Sequence, residues 1–358
     1  MQLFRAQALN ALSVSSIALL LGAGAACLAQ TASPAAPGTP ASPDSITIDA
    51  RVTDKLGHHL SGLQAQDFTL LDNKLPVKVV DFHEIDGRSN AEPVRVLIVI
   101  DAINTGFEVV AQERDQLTEF LKQDGGHLAH PTTLAVFTEK GISIEKTFTT
   151  DGAGLSATLA KFQNDLRTVQ RSAGFWGATE KLQWSLSDLG QLTTYESSLP
   201  GRKLVIFISP GWPILPWAGS QESVKQRQWV FSVVEAFSNQ LREGRVALYA
   251  IDPFILGRTN PFYYQSYLKG IAKTNDAEYG SLSLQVLAAH SGGLVQDSGS
   301  DIKGGINSAI RDANACYTIT FEPPPLDKPN EYHDLRLQVN KPGAVVRTTA
   351  GYYSNVQR

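Results

Sequence analysis

The chain has 358 residues, enough to bury a sizeable core and, at ordinary domain sizes, to make more than one domain. Its hydrophobic content of 42% and charged content of 18% are those of a globular protein and exclude a disordered or fibrous one. A formal net charge of −4 supplies no attraction for nucleic acid or for an anionic membrane surface.

The first 29 residues read as a signal peptide. Arg5 gives a short positive region, Ala11–Ala26 is apolar and rich in small residues, and Cys27-Leu28-Ala29 ends in a small-x-small pattern suited to cleavage near Ala29–Gln30. The expected destination is the periplasm or the exterior. The alternative, a lipoprotein acylated at Cys27, is disfavoured because Gly24-Ala25-Ala26 lacks the leucine wanted before such a cysteine. The apolar run is short for a bilayer span and no later stretch reaches that length, so no transmembrane segment is expected in the mature chain. Cleavage would leave Cys316 as the single cysteine, with no internal disulfide; it precedes a strand pattern and reads as a small buried residue.

Residues 30–43 are Thr, Ala, Ser, Pro and Gly in the main and read as a disordered linker. A β module follows over residues 44–88. Ile46, Ile48, Ala50 and Val52 alternate with polar residues as a half-exposed strand, Asp54-Lys55-Leu56-Gly57 turns, and Phe68–Asp72 and Val77–Phe82 form a hairpin about Asp72-Asn73-Lys74.

The centre of the chain is Val94–Thr105, VRVLIVIDAINT. Val96–Ile100 is continuously apolar, as a strand buried on both faces must be, and it ends at Asp101, the edge where open α/β sheets bind ligands. Helical spacing follows over Glu108–Asp124, stopped by Gly125-Gly126. Thr132–Thr138 and Ile142–Phe148 make a hairpin, and Leu155–Leu166 and Thr179–Leu192 read as helices. Lys203–Ile208 (KLVIFI) and Val246–Ile251 (VALYAI) are further wholly apolar strands around a helix over Val224–Arg242. After a long aromatic loop, Pro253–Tyr279, come a helix over Leu282–Ala289, a short strand over Leu294–Gln296 and a helix striped by Ile302, Ile306 and Ile310. Alternating strands and helices predict an α/β, doubly wound, mostly parallel sheet over residues 89–315. The tail, 316–358, holds three alternating strands, Tyr317–Glu322, His333–Val339 and Val345–Tyr352, expected to complete a β-sandwich with residues 44–88.

Val52-Thr53-Asp54, Gly57, Gly62-Leu63, Asp67-Phe68, Leu71-Asp72-Asn73, Pro76-Val77 and Phe82 resemble the opening of the bacterial VWFA-related domain family, and Tyr317-Thr318-Ile319 and Gly351-Tyr352-Tyr353 resemble its closing strands. The resemblance implies a von Willebrand factor type A domain in an exported protein that binds other macromolecules. It places that domain's metal-dependent adhesion motif, Asp-x-Ser-x-Ser, at Asp101-Ala102-Ile103-Asn104-Thr105. Thr105 can replace the second serine, but Ile103 offers no side-chain oxygen; Thr179 is the candidate for the second loop, and Ser209-Pro210-Gly211 puts proline where the third loop carries aspartate. A degenerate site short of two donors implies weak magnesium binding at most, since this cation wants six well-placed oxygens. The binding residues implied are Asp101, Asn104, Thr105, Thr179 and Ser209, with no resident cofactor.

No catalytic or nucleotide-binding signature occurs. His58-His59, His127 and His130 lack accompanying ligands and read as loop histidines, and His290 as part of a helix cap. Three aromatic loops are expected on the Asp101 edge, with Trp176, Trp212, Trp217 and Tyr263 as a rim that could anchor a protein partner. The reading is an exported binding module with no catalytic residue. Its rivals are an exported hydrolytic enzyme using the cleft near Asp101 and a scaffold of an envelope assembly.

Overall fold

In the computed structural model, residues 45–86, 94–162, 174–214, 222–254, 260, 262–296, 301–325 and 330–354 are described, apart from the side chains of Phe107 and Phe175. The expected signal peptide, linker and Trp217 lie outside them.

Four strands come first: β1 (Ile46–Thr53), β2 (Phe68–Asp72), β3 (Leu75–Pro76) and β4 (Val79–Ile85). Then follow β5 (Arg95–Asp101), α1 (Phe107–Lys122), β6 (His127–Thr138), β7 (Gly141–Ile144), β8 (Thr149–Asp151), α2 (Gly152–Lys161) and α3 (Gly174–Ser197). The second half holds β9 (Lys203–Ile208), α4 (Val224–Glu243), β10 (Val246–Ile251), α5 (Leu284–His290), β11 (Val295–Gln296) and α6 (Ile302–Ala313). The tail is β12 (Cys316–Phe321), β13 (Tyr332–Val339), β14 (Val345–Arg347) and β15 (Gly351–Tyr353).

The largest sheet has seven strands in the order β11-β10-β9-β5-β6-β7, with β8 pairing β6 off that path. All neighbours are parallel except β7 and β8, each antiparallel to β6. Ile98 of β5 stands opposite Leu134 and Ile206, so the most apolar strand occupies the middle. Its side chains alternate between two cores. Leu97 and Val99 join the cluster containing Phe207, Leu189, Phe237 and Leu287, whereas Val96, Ile98 and Ile100 join the one containing Leu117, Leu155 and Ile306. Helices thus cover both faces, which explains the absence of polar alternation in β5, β9 and β10. The chain leaves β5 toward β6 on one side and returns to β9 on the other. Ligands of open sheets bind at such a reversal, at the carboxyl ends of the strands.

Two four-stranded antiparallel sheets, β14-β1-β12-β4 and β15-β13-β2-β3, share a third apolar cluster that includes Ile48, Val52, Phe68, Leu70, Tyr317, Ile319 and Tyr352. The expected last strand, Val345–Tyr352, is two strands: β14 pairs with β1 and β15 with β13. One alternating run thereby serves both sheets, with residues 348–350 as the crossing. Helix α3 also begins earlier than its apolar spacing indicates, so Phe175-Trp176, expected in a loop, lie in its first turn. Cys316 is buried, and burial pushes its thiol up to about 11, consistent with an inert core residue.

Candidate functional site

Asp101 ends β5 at the reversal and is fully buried. Its Oδ1 accepts from the backbone N–H groups of Ile103 (2.9 Å) and Asn104 (3.0 Å). Its Oδ2 accepts from Asn104 Nδ2 (2.8 Å) and from Ser209 Oγ (2.5 Å), the residue that follows β9. Ser209 Oγ in turn accepts from Gly211 N–H, and Asn104 Nδ2 also donates to Ser185 Oγ of α3, both at 2.9 Å. Burial raises the Asp101 carboxyl above its ordinary value, with the hydrogen bonds from Ser209, Asn104 and Ile103 opposing that rise.

Three more carboxylates lie near this knot. Glu113 of α1 is 0% exposed with neither oxygen hydrogen-bonded; burial, then the charges of Asp101 and Asp252, push it well above the usual range. Asp252 follows β10 and accepts from Phe254 N–H at 2.8 Å. Asp188 of α3 is raised from 3.8 to about 7, chiefly by burial and further by the charge of Asp101, against a backbone hydrogen bond from Thr138.

Above the knot opens a cleft of about 440 Å³ bordered by Asn104, Lys181, Tyr263 and the segment 210–214. The turn at Gly211 has φ +81, and a Cβ there would meet the Gln285 amide at 3.2 Å, so only glycine suits it. Gln285 ties the wall together, donating to the Pro210 carbonyl at 3.2 Å and accepting from Tyr263 OH at 2.9 Å.

The structure brings Asp101, Asn104 and Ser209 into one network. Thr105 is buried beside it with no hydrogen bond to its hydroxyl. Thr179 sits in the second turn of α3, and it is Ser185 of that helix that reaches Asn104. The two are six residues apart, or about 240° around the axis, so they occupy different faces. Trp176 is 73% exposed. Trp212 borders the cleft but is buried instead of standing out as an exposed anchor: it is 4% exposed, packs edge-on to Phe207 and donates its indole N–H to the Leu282 carbonyl at 2.9 Å. Tyr263 lines the cleft.

Lys181, Ser185, Asp188 and Glu113 were not singled out from the sequence. The first three recur at i, i+4 and i+7, a polar stripe on a helix whose other positions include Leu182, Leu186 and Leu189. Glu113 interrupts the apolar stripe Val110, Leu117, Phe120 and Leu121 of α1, another readable signal.

The donor set does not fit a hard divalent cation. Both Asp101 oxygens are taken up by four protein donors, and the Asn104 amide lies between the two side-chain oxygens it serves. Ile103 is packed into the core, and the Pro210 carbonyl is engaged by Gln285. Among the described residues no group of three or more His, Cys, Asp or Glu is arranged to hold a metal ion. No described helix is long and apolar enough to cross a membrane.

No family model matches the sequence, and no curated protein does. Several solved structures are similar in part. The human COPII-coat protein Sec24c is 7% identical at a TM-score of 0.37, over 77% of this chain and 46% of that one. The PilB minor pilin from Streptococcus sanguinis is 8% identical at 0.33, over 63% and 61%. The manganese-loaded Plasmodium vivax TRAP protein is 12% identical at 0.34, over 75% and 96%. The chain thus spans about half of Sec24c and three fifths of the pilin.

The buried carboxylates make stability depend on pH. Asp188 binds its proton more tightly in the folded chain, so its contribution is complete below about pH 4 and is lost as pH rises through about 7. Asp188→Asn removes that loss. Its melting temperature relative to the parent rises by several degrees between pH 4 and pH 8; a difference that stays constant across this range refutes the assignment.

Proposed function

We propose that the chain is an exported binding module of the von Willebrand factor type A kind, which holds a protein partner in the cleft above Asp101 without a divalent cation. In this reading residues 89–315 carry the binding face, and residues 44–88 and 316–358 support it. One observation carries the proposal: the Asp101 network is closed by protein donors at the sheet reversal, and a cleft lined by an aromatic, an apolar segment and a few polar groups opens directly on it. Preformed concave sites with few polar groups are the usual form of a binding site, and Asn104 does inside the protein what a cation would otherwise do, tying Asp101 to a neighbouring hydroxyl.

Calorimetric titration of the purified chain with magnesium and manganese tests the metal-free part, and partner retention in EDTA tests the binding part. No tight cation binding and full retention in EDTA are expected. A micromolar cation constant, or a partner released by EDTA, refutes the reading.

A further inference from the structure

We infer that a single monatomic anion of the size of chloride binds where β1 meets the amino end of β10, held by Arg51, Arg242 and Arg245. A cavity of about 20 Å³ lies there, with these three arginines and Asp49 on its border. It stands at the opposite end of the parallel strands from Asp101, so it is independent of the cleft. Positive charge is in excess around it. Among the described residues, Arg51, Arg202, Arg242, Arg245 and Arg347 pair with only three acids, Asp49, Asp312 and Glu243. Asp49 and Asp312 are each shared between two guanidinium groups, and Glu243 is exposed. A guanidinium keeps its proton in a protein, so a surplus of this kind is cancelled by an anion and not by titration.

Two of these arginines also carry donors with nothing to donate to among the described residues. Arg51 is 3% exposed, and its Nη1 donates to the Gly292 carbonyl at 3.2 Å. Its Nε stands 3.3 Å from Asp312 Oδ2 without making a hydrogen bond. Arg242 places Nη2 on Glu243 at 3.0 Å and leaves its buried Nε without an acceptor. Burial lowers the Arg242 guanidinium from its ordinary value, against the pull of Glu243 and Tyr352. Asp49 is already occupied: Oδ1 accepts from Arg245 and Thr318, and Oδ2 from Arg202. A buried charged donor left unpaired is expensive, which gives an anion its binding energy. The volume is that of one water-sized particle, so phosphate, sulfate and carboxylate groups are too large. Water fits but adds two donors of its own to a site rich in donors, whereas a halide adds only acceptor capacity and negative charge. The bound anion ties β1 to the start of β10, and so helps seat the antiparallel sheet on the parallel one.

The test replaces sodium gluconate, whose anion is too large for the cavity, by sodium chloride at constant ionic strength in the purified chain. The melting temperature is expected to rise saturably, by several degrees at roughly 100 mM chloride. Crystals grown in sodium bromide should show an anomalous-scattering peak between Arg51, Arg242 and Arg245. Arg242→Gln removes one of the three cations without touching the Asp49 pairs. In that variant the midpoint of the chloride response should move to at least about tenfold higher concentration. Identical melting in chloride and gluconate overturns the proposal, as does a cavity that holds only water in bromide-grown crystals. A response that climbs linearly with chloride, or a midpoint that Arg242→Gln leaves in place, puts the anion elsewhere on the surface and equally overturns it. The chloride comparison and the bromide peak use the unmodified chain, so they stand even if the variant does not fold.

Discussion

Replacing Trp212 by alanine lowers the stability of the chain by about 3–5 kcal/mol, the usual cost of emptying a large aromatic site in a packed core. Its indole closes the cluster formed by Phe207, Ile271, Leu282 and Leu284, where loop, sheet and α5 meet. Truncation removes that packing and also leaves the Leu282 carbonyl without its donor. Trp212→Phe keeps a ring against Phe207 and loses the N–H donor and part of the indole's volume, so its loss should be smaller than that of the alanine variant. Equilibrium unfolding in urea measures both. A change below about 0.5 kcal/mol for the alanine variant, typical of surface sites, would mean that Trp212 faces solvent after all. Because this variant perturbs folding, loss of partner binding in it says nothing about the cleft.

Asp49→Ala is expected to cost about 3–5 kcal/mol for a different reason, the stranding of buried guanidinium groups. Asp49 lies in β1 and accepts from Arg202 Nε at 3.1 Å and Arg245 Nη2 at 2.9 Å, with Thr318 Oγ1 of β12 adding a third bond at 3.0 Å. Arg202 and Arg245 precede β9 and β10, so this carboxylate joins the antiparallel sheet of β1 to the amino edge of the parallel sheet. Arg202 is 2% exposed and also donates to the Ala313 carbonyl, and one of its nitrogens already has no acceptor. Burial by itself would raise the Asp49 carboxyl, but Arg202, Arg245 and Arg51 outweigh it and hold it at about 2.

The lowered value gives a pH signature. Asp49 holds its proton less tightly in the folded chain, so its contribution is complete above about pH 4 and is lost as pH falls from 3.8 through about 2. The amount is roughly 2 kcal/mol, from about 1.36 kcal/mol per pKa unit. Asp49→Asn should therefore be less stable than the parent at pH 6 and approach it near pH 2. Parallel stability curves for the two proteins over that interval would remove Asp49 from the account. The effect runs opposite to that of Asp188, and the two variants together separate a carboxylate held charged from one held neutral.

Much of the fold was legible in the sequence because its physics is local. The runs Val96–Ile100, Leu204–Ile208 and Val246–Ile251 are apolar without alternation, and a strand of that composition must be covered on both faces. Alternation in Ile46–Val52 announced a strand with one apolar face, but its polar face is not wet: Arg51 is buried and Asp49 is paired with Arg202 and Arg245. Asp101 was marked by chain position alone, as the carboxylate that ends the central run. The parts of the site that came from the sequence, Asp101, Asn104 and Ser209, sit in turns directly after strands, where register along the strand fixes direction.

What tertiary structure decided depends on which way a helix is rotated or a loop folds back. The rotation of α3 brought Ser185 and Asp188 to the knot and Lys181 to the border of the cleft, and placed Thr179 on another face, a phase set by packing of Leu182, Leu186 and Leu189 on the sheet. Trp212 turned inward because the left-handed turn at Gly211 returns the chain onto Leu282, and an apolar ring gains more from that burial than from exposure. Val345–Tyr352 was divided between two sheets because each β-edge needed a partner that only the folded chain supplied. The closing of Asp101 by Asn104, Ser185 and Ser209 joins three segments across 81 and 108 residues of chain, separations over which sequence pattern carries no geometry.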